Sequence, residues 1–407
     1  MLIQRFARIQ QVLVEEEDYQ ELDCQLLHPT PTHGELGVKV INYPELTGYC
    51  QVGDYVLLNG TAQHLQLGTG GYDFVRLRLP ERGAEAWNMM DIYEEKLGLL
   101  HQGHIMKLRY TPLQLAVFTW EEQHQLNQEN MLCEEASSIH TPMLVTSLHS
   151  MLPLLVLVIK EVLPSCRIAY IMTDGSALPI ALSKHVRICK QAGLVDLTIT
   201  CGQAFGGDLE TVTLYSAIQA AYQACDVVII GDGPGVVGTN TQWGTTGILT
   251  GEYLNAIAAL GGKPLFVPRI QGVDSRQRHQ GISHHTITVL TQLTPYSVTI
   301  PIPDEASWYK QVVSSSSLMS QQEVKKQIAM IGEKRREKQL PAHQWQRVLL
   351  PAFSELEKLL SSYPIPISTM GRELKDDPTF FGTVFASAYY VIEELERDDT
   401  GRRKDEE

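Results

Sequence analysis

Between Asp274 and His285 the sequence reads Asp-Ser-Arg-Gln-Arg-His-Gln-Gly-Ile-Ser-His-His, with two arginines, three histidines and one carboxylate in twelve positions. Arg276 and Arg278 are two apart, so in an extended loop they share a face. Paired guanidiniums suit bidentate capture of a carboxylate or phosphate. Asp274 stands beside this clamp. Ser283 suits a helix cap, which puts His284 and His285 in a first turn. There the positive helix end favours neutral imidazole, the form that accepts a proton. His279 and His285 are therefore candidate proton carriers.

A second constellation is rich in glycine. Gly233-Pro-Gly235-Val-Val-Gly238 matches GxGxxG after an apolar run. In a dinucleotide site a helix opens within that motif. Here Thr239 to Trp243 intervene before a helical pattern near Thr245. Arg269 stands where an acid would bind ribose, and an arginine there could favour a 2′-phosphate; the displaced helix and the mid-domain place of the motif argue against NADP all the same. What survives is a cradle of backbone N–H groups with Thr239, Asn240 and Gln242, suited to a phosphate or carboxylate. Gly206 and Gly207 offer a similar loop. The chain has no GxxxxGK[ST], which excludes a P-loop, and Ser176 lacks the GxSxG frame of a hydrolase elbow. Asp174, Asp208 and Asp232 each follow an apolar run. Singly, each reads as a cap; together on one edge they would serve as acid/base groups or hold a divalent cation. Zinc held by His279, His285 and Asp232 is a further alternative, although HxxxxHH matches no metal signature. The identity of any cofactor stays open. Cys201 ends an apolar run and could be a nucleophile, but reads first as a packed thiol; His101, His104 and His149 read as packed or surface residues.

These loops need a scaffold. Apolar runs at Leu115–Thr119, Arg167–Met172, Asp196–Thr200, Asp226–Ile230, Pro264–Val267 and Tyr296–Ile300 predict buried strands. Helical patterns at Met143–Val162, Leu178–Gln191, Glu210–Gln223, Gly247–Leu260 and Ser283–Leu293 separate most of them. Alternation of this kind predicts a doubly wound α/β domain with a mostly parallel sheet, covering residues 83–312 with its connecting segment. A hairpin around Tyr110–Gln114 could add an edge. The long polar loops all follow strands, whereas the opposite connections are short. The loops at 173–176, 202–208, 231–246 and 269–285 are therefore expected to converge on one cleft, where open α/β sheets bind ligands.

Residues 1–82 have short alternating runs spaced by turns and predict a small β-barrel, with Val40, Val52, Tyr55, Leu57 and Val75 inside. Residues 313–397 predict a helical extension behind a linker at Ser314–Ser317, and 398–407 a charged, frayed tail. Over 407 residues the net charge is −14, against a nucleic-acid or anionic-membrane partner. Seven cysteines without a CxxC pair fit free thiols in a reducing cytosol. The first residues become acidic too soon for a signal peptide. A cytoplasmic protein follows, and a homo-oligomer is compatible with it.

The runs Leu67–Tyr72, Gly103–Pro112, Met172–Pro179, Gly231–Thr239 and Asp274–His279 together resemble a bacterial family catalogued as domain of unknown function 3866. The resemblance covers nearly the whole chain and implies one α/β-containing unit without naming an activity. From the residues, the leading expectation is an enzyme of group transfer or hydrolysis. It would act on a small anionic molecule, phosphorylated or nucleotide-like. The alternatives are a ligand-binding module without turnover, and an assembly protein recruiting a partner through its barrel.

Overall fold

The structure, a computed structural model, describes residues 4–27, 37–60, 63, 70–79, 103, 105–108, 115–127, 139–173, 175, 177–304, 308, 311 and 315–405. The chain divides into two compact units, residues 1–118 and 119–407.

The first unit holds β1 (Gln4–Glu15), β2 (Gln20–Leu26), β3 (Gly37–Asn42), the short helix α1 (Pro44–Thr47), β4 (Tyr55–Asn59) and β5 (Tyr72–Leu79). These strands close a barrel in the order β1-β2-β3-β5-β4. β3 and β5 run parallel and the other pairs antiparallel, a Greek-key order of the OB type. Two register shifts in β1 let it bend from β2 towards β4. The interior is filled by Ala7, Ile9, Leu22, Cys24, Val40, Val56 and Leu58. Val40 and Val75 are buried as expected, but Val52 and Tyr55 are exposed and Leu57 is half-buried. The alternation in β4 is shifted by one residue, and a one-residue shift exchanges the two faces. Two further strands, β6 (Ile105–Lys107) and β7 (Leu115–Val117), pair antiparallel as a separate ribbon. The Leu115 run therefore does not join the large sheet. The connecting segment expected at 83–105 lies largely outside the described residues.

The second unit begins with α2 (Trp120–Asn127) and is built on eight strands. These are β8 (Met143–Thr146), β9 (Ile168–Thr173), β10 (Leu197–Cys201), β11 (Leu209–Thr211), β12 (Val227–Asp232), β13 (Pro264–Val267), β16 (Thr299–Pro303) and β17 (Gln344–Val348). Their order is β11-β10-β9-β12-β8-β13-β16-β17, and every pair is parallel. Successive side chains alternate between two cores. Ile168, Tyr170, Met172, Val227 and Ile229 face one; Ala169, Ile171, Val228 and Ile230 face the other. Both faces are covered, which is why these strands read as unbroken apolar runs. α3 (Met151–Val162), α4 (Lys184–Gln191), α9 (Phe353–Ser361) and α10 (Pro378–Asp405) pack on the first face. α5 (Leu214–Ala224), α6 (Thr250–Ala259), α7 (His284–Thr288), which continues into a π-turn at Val289–Leu293, and α8 (Ser315–Glu337) pack on the second. The fold is thus α/β and doubly wound, as expected.

Five local expectations are corrected. Met143–Thr146 is a strand, β8, rather than the start of α3; four wholly buried residues can serve either element. Leu209–Thr211 pairs with β10 as β11 instead of opening α5. Ser315–Ser317 opens α8 rather than forming a linker. The region after 313, helical in expectation, also supplies the edge strand β17, and α10 continues through the tail to Asp405.

Gly382 in α10 faces the wholly buried Trp308. A Cβ there would lie 2.4 Å from the indole Nε1, which is held by the Pro378 carbonyl at 3.1 Å. Alanine gains about 1 kcal/mol in helix propensity, but overpacking costs about 1–3 kcal/mol, and an indole fixed at its nitrogen has little room to yield. Gly382→Ala should therefore be net destabilising; an unchanged or raised denaturation midpoint would show that the helix shifts freely.

Candidate functional site

The connections after β9 and β12 leave the sheet in opposite directions. From β9 the chain runs through α4 to β10; from β12 it runs through α6, on the other face, to β13. Adjacent strands whose exits diverge define the crevice at which doubly wound sheets take ligands. Its floor is set by the paired terminal residues Thr173 and Asp232.

Asp232 is buried. Its Oδ1 accepts the hydroxyls of Thr173 and Tyr253, each at 2.6 Å. Burial first, and then the Asp232 charge, push the Tyr253 phenol far up, so it stays a donor. Asp174 and Ser176 lie outside the described residues. Gly175 between them passes so close that a Cβ would stand 2.7 Å from Asp232 Oδ1. Glycine lets the turn approach the carboxylate.

His149, which follows β8, joins the same network. Its Nδ1 lies 3.2 Å from both the Asp232 carbonyl and the Tyr170 hydroxyl, and its Nε2 lies 2.5 Å from Ser183 Oγ. A carbonyl only accepts, so the partners assign the proton to Nδ1 and the lone pair to Nε2. Burial, followed by the neighbouring His185, lowers its pKa to about 4. Ser183 Oγ also accepts the Val186 N–H at the start of α4.

The loop after β13 is closed at its foot by a two-stranded ribbon, β14 (Ile270–Gln271) with β15 (Gly281–Ile282). It is fastened to α10 through the Gly272 N–H, which donates to Asp377 Oδ1 at 2.8 Å. Within it Asp274 is gripped by three guanidiniums: Arg276 from Nε and Nη2, both at 3.1 Å, Arg269 at 3.4 Å and Arg372 at 3.4 Å. Hydrogen bonds from Arg276 outweigh burial and hold the Asp274 carboxyl far below its ordinary range. Arg278 reaches elsewhere and donates to Asn240 Oδ1. The two arginines expected to form one clamp are thus held by different partners.

His279, His284 and His285 lie together, with ring centroids 4.0 to 5.4 Å apart. Burial and the nearby arginines lower the pKa of His279 to about 3 and of His285 to about 4, and lower that of His284. All three are neutral near pH 7. Ser283 does not cap α7; its hydroxyl instead meets His279 Nδ1 at 2.9 Å.

The structure joins some of the expected loops and separates others. The Arg278–Asn240 bond connects the loops after β12 and β13, and a Cβ on Gly247 would lie 3.3 Å from His285 Nδ1. Gly233 lies beside Met172, while Gly235, Gly238, Thr239, Asn240 and Gln242 are exposed. Thr239 closes a small hairpin, donating both its N–H and its hydroxyl to the Gly244 carbonyl. The loop after β10 turns back along the sheet. Gly206 N–H donates to Glu210, Gly207 N–H to Thr200, and Asp208 accepts from Thr198 and pairs with Lys190. Asp208 is thereby committed beside β10, away from Asp232. Cys201 is buried, as are the five other cysteines among the described residues. No three His, Cys, Asp or Glu side chains among the described residues are arranged to hold a metal ion.

Sequence reading gave no site role to His149, Thr173, Ser183, Tyr253, Gln271, Arg372 and Asp377, although Thr173 and Gln271 lie in loops that it named. Thr173 and His149 do end or follow strands. Gln271 sits on β14; Ser183, Tyr253, Arg372 and Asp377 come from helices, their caps and loops elsewhere in the chain and carry no local motif.

Fold and edge together define a doubly wound α/β protein with an N-terminal closed five-stranded barrel and a carboxyl-edge crevice. The chain belongs to the family described as "Protein of unknown function (DUF3866)", whose family model matches residues 39–388. A search of the curated proteins finds no match. Among the described residues no helix is long and apolar enough to cross a membrane.

Proposed function

We propose that this protein is an enzyme of group transfer or hydrolysis that acts on a small anionic molecule, phosphorylated or nucleotide-like. The observation that carries this reading is Asp232. It is a buried carboxylate at the switch-point crevice, oriented by two hydroxyl donors on one oxygen. A fixed, water-poor carboxylate of this kind suits general acid/base work. The neutral imidazoles of His279 and His285, carried by the neighbouring loop, supply further proton acceptors. Arginines beside them favour an anion. The alternative, a module that binds without turnover, is favoured by the prior engagement of Arg276 and Arg278 with Asp274 and Asn240. On either reading the partner is a small molecule rather than nucleic acid or membrane. The buried free thiols support a cytoplasmic setting.

The test begins with thermal-shift screening against nucleotides, phosphosugars and divalent cations, followed by product analysis of each hit. Asp232→Asn retains an oxygen for the Thr173 and Tyr253 hydroxyls but removes the base. It should keep ligand binding and lower turnover by about 10²-fold or more. Turnover equal to wild type would overturn the role of Asp232. Saturable binding without turnover in wild type would favour the binding module.

A further inference from the structure

We propose that the groups gathered by the β14–β15 loop and α7 form a subsite for a phosphoryl dianion, as carried by free phosphate or a phosphate monoester. The proposal rests on the carboxyl edge being the ligand site and names the group that this site takes.

Charge is the first ground. Among the described residues Arg269, Arg276 and Arg372 face two carboxylates, Asp274 and Asp377, and Arg278, bonded to Asn240 Oδ1 and acting on the His284 ring, adds a fourth positive charge on the exposed side. Two positive charges are left over. Arg269, Asp274 and Asp377 are all buried, and uncompensated charge next to a low-dielectric interior is costly. A dianion cancels it; a carboxylate cancels half.

Unused donors are the second, independent ground. Gln271 is wholly buried, and its Oε1 accepts Arg269 Nε at 2.8 Å. Its amide nitrogen finds no acceptor among the described residues. The Nε2 of His284 is likewise buried and without a partner among the described residues, and it donates in the Nε2–H tautomer. Buried donors are rarely left empty, and the Arg269 charge reaches all three histidine rings. Tetrahedral phosphate presents acceptors in several directions, so one group can meet guanidinium, amide and imidazole N–H donors together. Neutral imidazoles add donors without adding charge. Arg278 is exposed and Arg276 half-exposed, which leaves the cluster open to solvent on that side.

Calorimetric titration of the full chain with inorganic phosphate, glycerol phosphate and acetate tests the assignment. Saturable phosphate binding is expected, with acetate at least tenfold weaker. Arg278→Gln and His284→Phe, at an exposed and a half-buried position, should each weaken phosphate at least tenfold. Gln271→Leu should do the same while keeping the fold, because it removes a buried polar group. Absent phosphate binding, equal affinity for acetate, or unchanged affinity in all three variants would overturn the subsite. Asp232→Asn separates the two readings. Phosphate that binds wild type and this variant alike, with no monoester turned over by wild type, leaves the subsite standing and the enzyme reading fallen. Turnover of a ligand by a chain that does not bind phosphate does the reverse.

Discussion

Lowering the pH from 7 to 5 should unfold this protein or bring it to the edge of unfolding. Burial is the first cause lowering His149, His285 and His343 to pKa values of about 4, and His279 to about 3. In the unfolded chain each titrates near 6.5. Between 6.5 and about 4 the unfolded state therefore holds protons that the folded state refuses. Stability falls as the pH falls, by up to about 1.4 kcal/mol per pH unit for each histidine. Four such groups acting over even one pH unit rival the whole stability of an ordinary domain, about 5–15 kcal/mol. Asp274 does not offset this. Its carboxyl is held low by the arginines, so its stabilisation is complete above the unfolded value of about 3.9 and is lost only below it. His343 is the best-defined member. Nδ1 accepts the Val298 N–H and Nε2 donates to the Leu290 carbonyl, so a second proton must displace a backbone bond. Urea midpoints from pH 8 to 5 would show the slope, and His343→Gln should flatten it by about one proton. Stability that is flat across this range would sink the account.

Arg335→Leu should be among the most destabilising single substitutions in the second unit. The side chain is 1% exposed. Nη1 donates to the carbonyls of Leu290 and Thr294, Nη2 to Tyr296, and Nε to Pro341. The first two lie in the π-turn that ends α7 and just beyond it. Carbonyls at the end of a helix lack partners and carry partial negative charge, so one guanidinium closes this end where a short cap cannot reach. Burial lowers the Arg335 pKa without removing its charge near neutrality. Leucine, which is also smaller, orphans the Thr294, Tyr296 and Pro341 carbonyls, while Leu290 keeps its bond from His343 Nε2; each orphan costs about 1–3 kcal/mol when buried. A loss of about 3–5 kcal/mol is expected, read as a fall in the urea midpoint. Arg335→Lys should recover only part, since an ammonium cannot span four carbonyls in one plane. A loss below about 1 kcal/mol would mean that water replaces the side chain.

The strands were legible because their surroundings are uniform. Arg167–Met172, Asp226–Ile230 and Pro264–Val267 are buried on both faces, and nothing competes with the apolar run as a signal. Where one face meets water, as in β4, the phase of alternation decides which residues are inside, and Tyr55 and Leu57 were placed on the wrong side. The site was legible where chemistry is contiguous in sequence, as in 274–285. Its internal pairing was not. Whether Arg276 grips a ligand or Asp274 depends on Arg269 and Arg372, the latter almost a hundred residues on. Asp232 showed only its position at the end of a run. The hydroxyls that orient it come from Thr173 and Tyr253, whose meeting is a property of the topology.

One face of the sheet is closed by α10, whose Phe380, Phe381, Val384 and Phe385 share a core with α3. More than two hundred residues separate these helices along the chain. A ribosome adding residues in order must therefore expose the apolar side of α3 until the final helix has emerged. Non-local closure of this kind slows folding and lengthens the time during which sticky surface is open to other chains. A chaperone that shields α3 on the nascent chain would address the most vulnerable stage of this protein's synthesis.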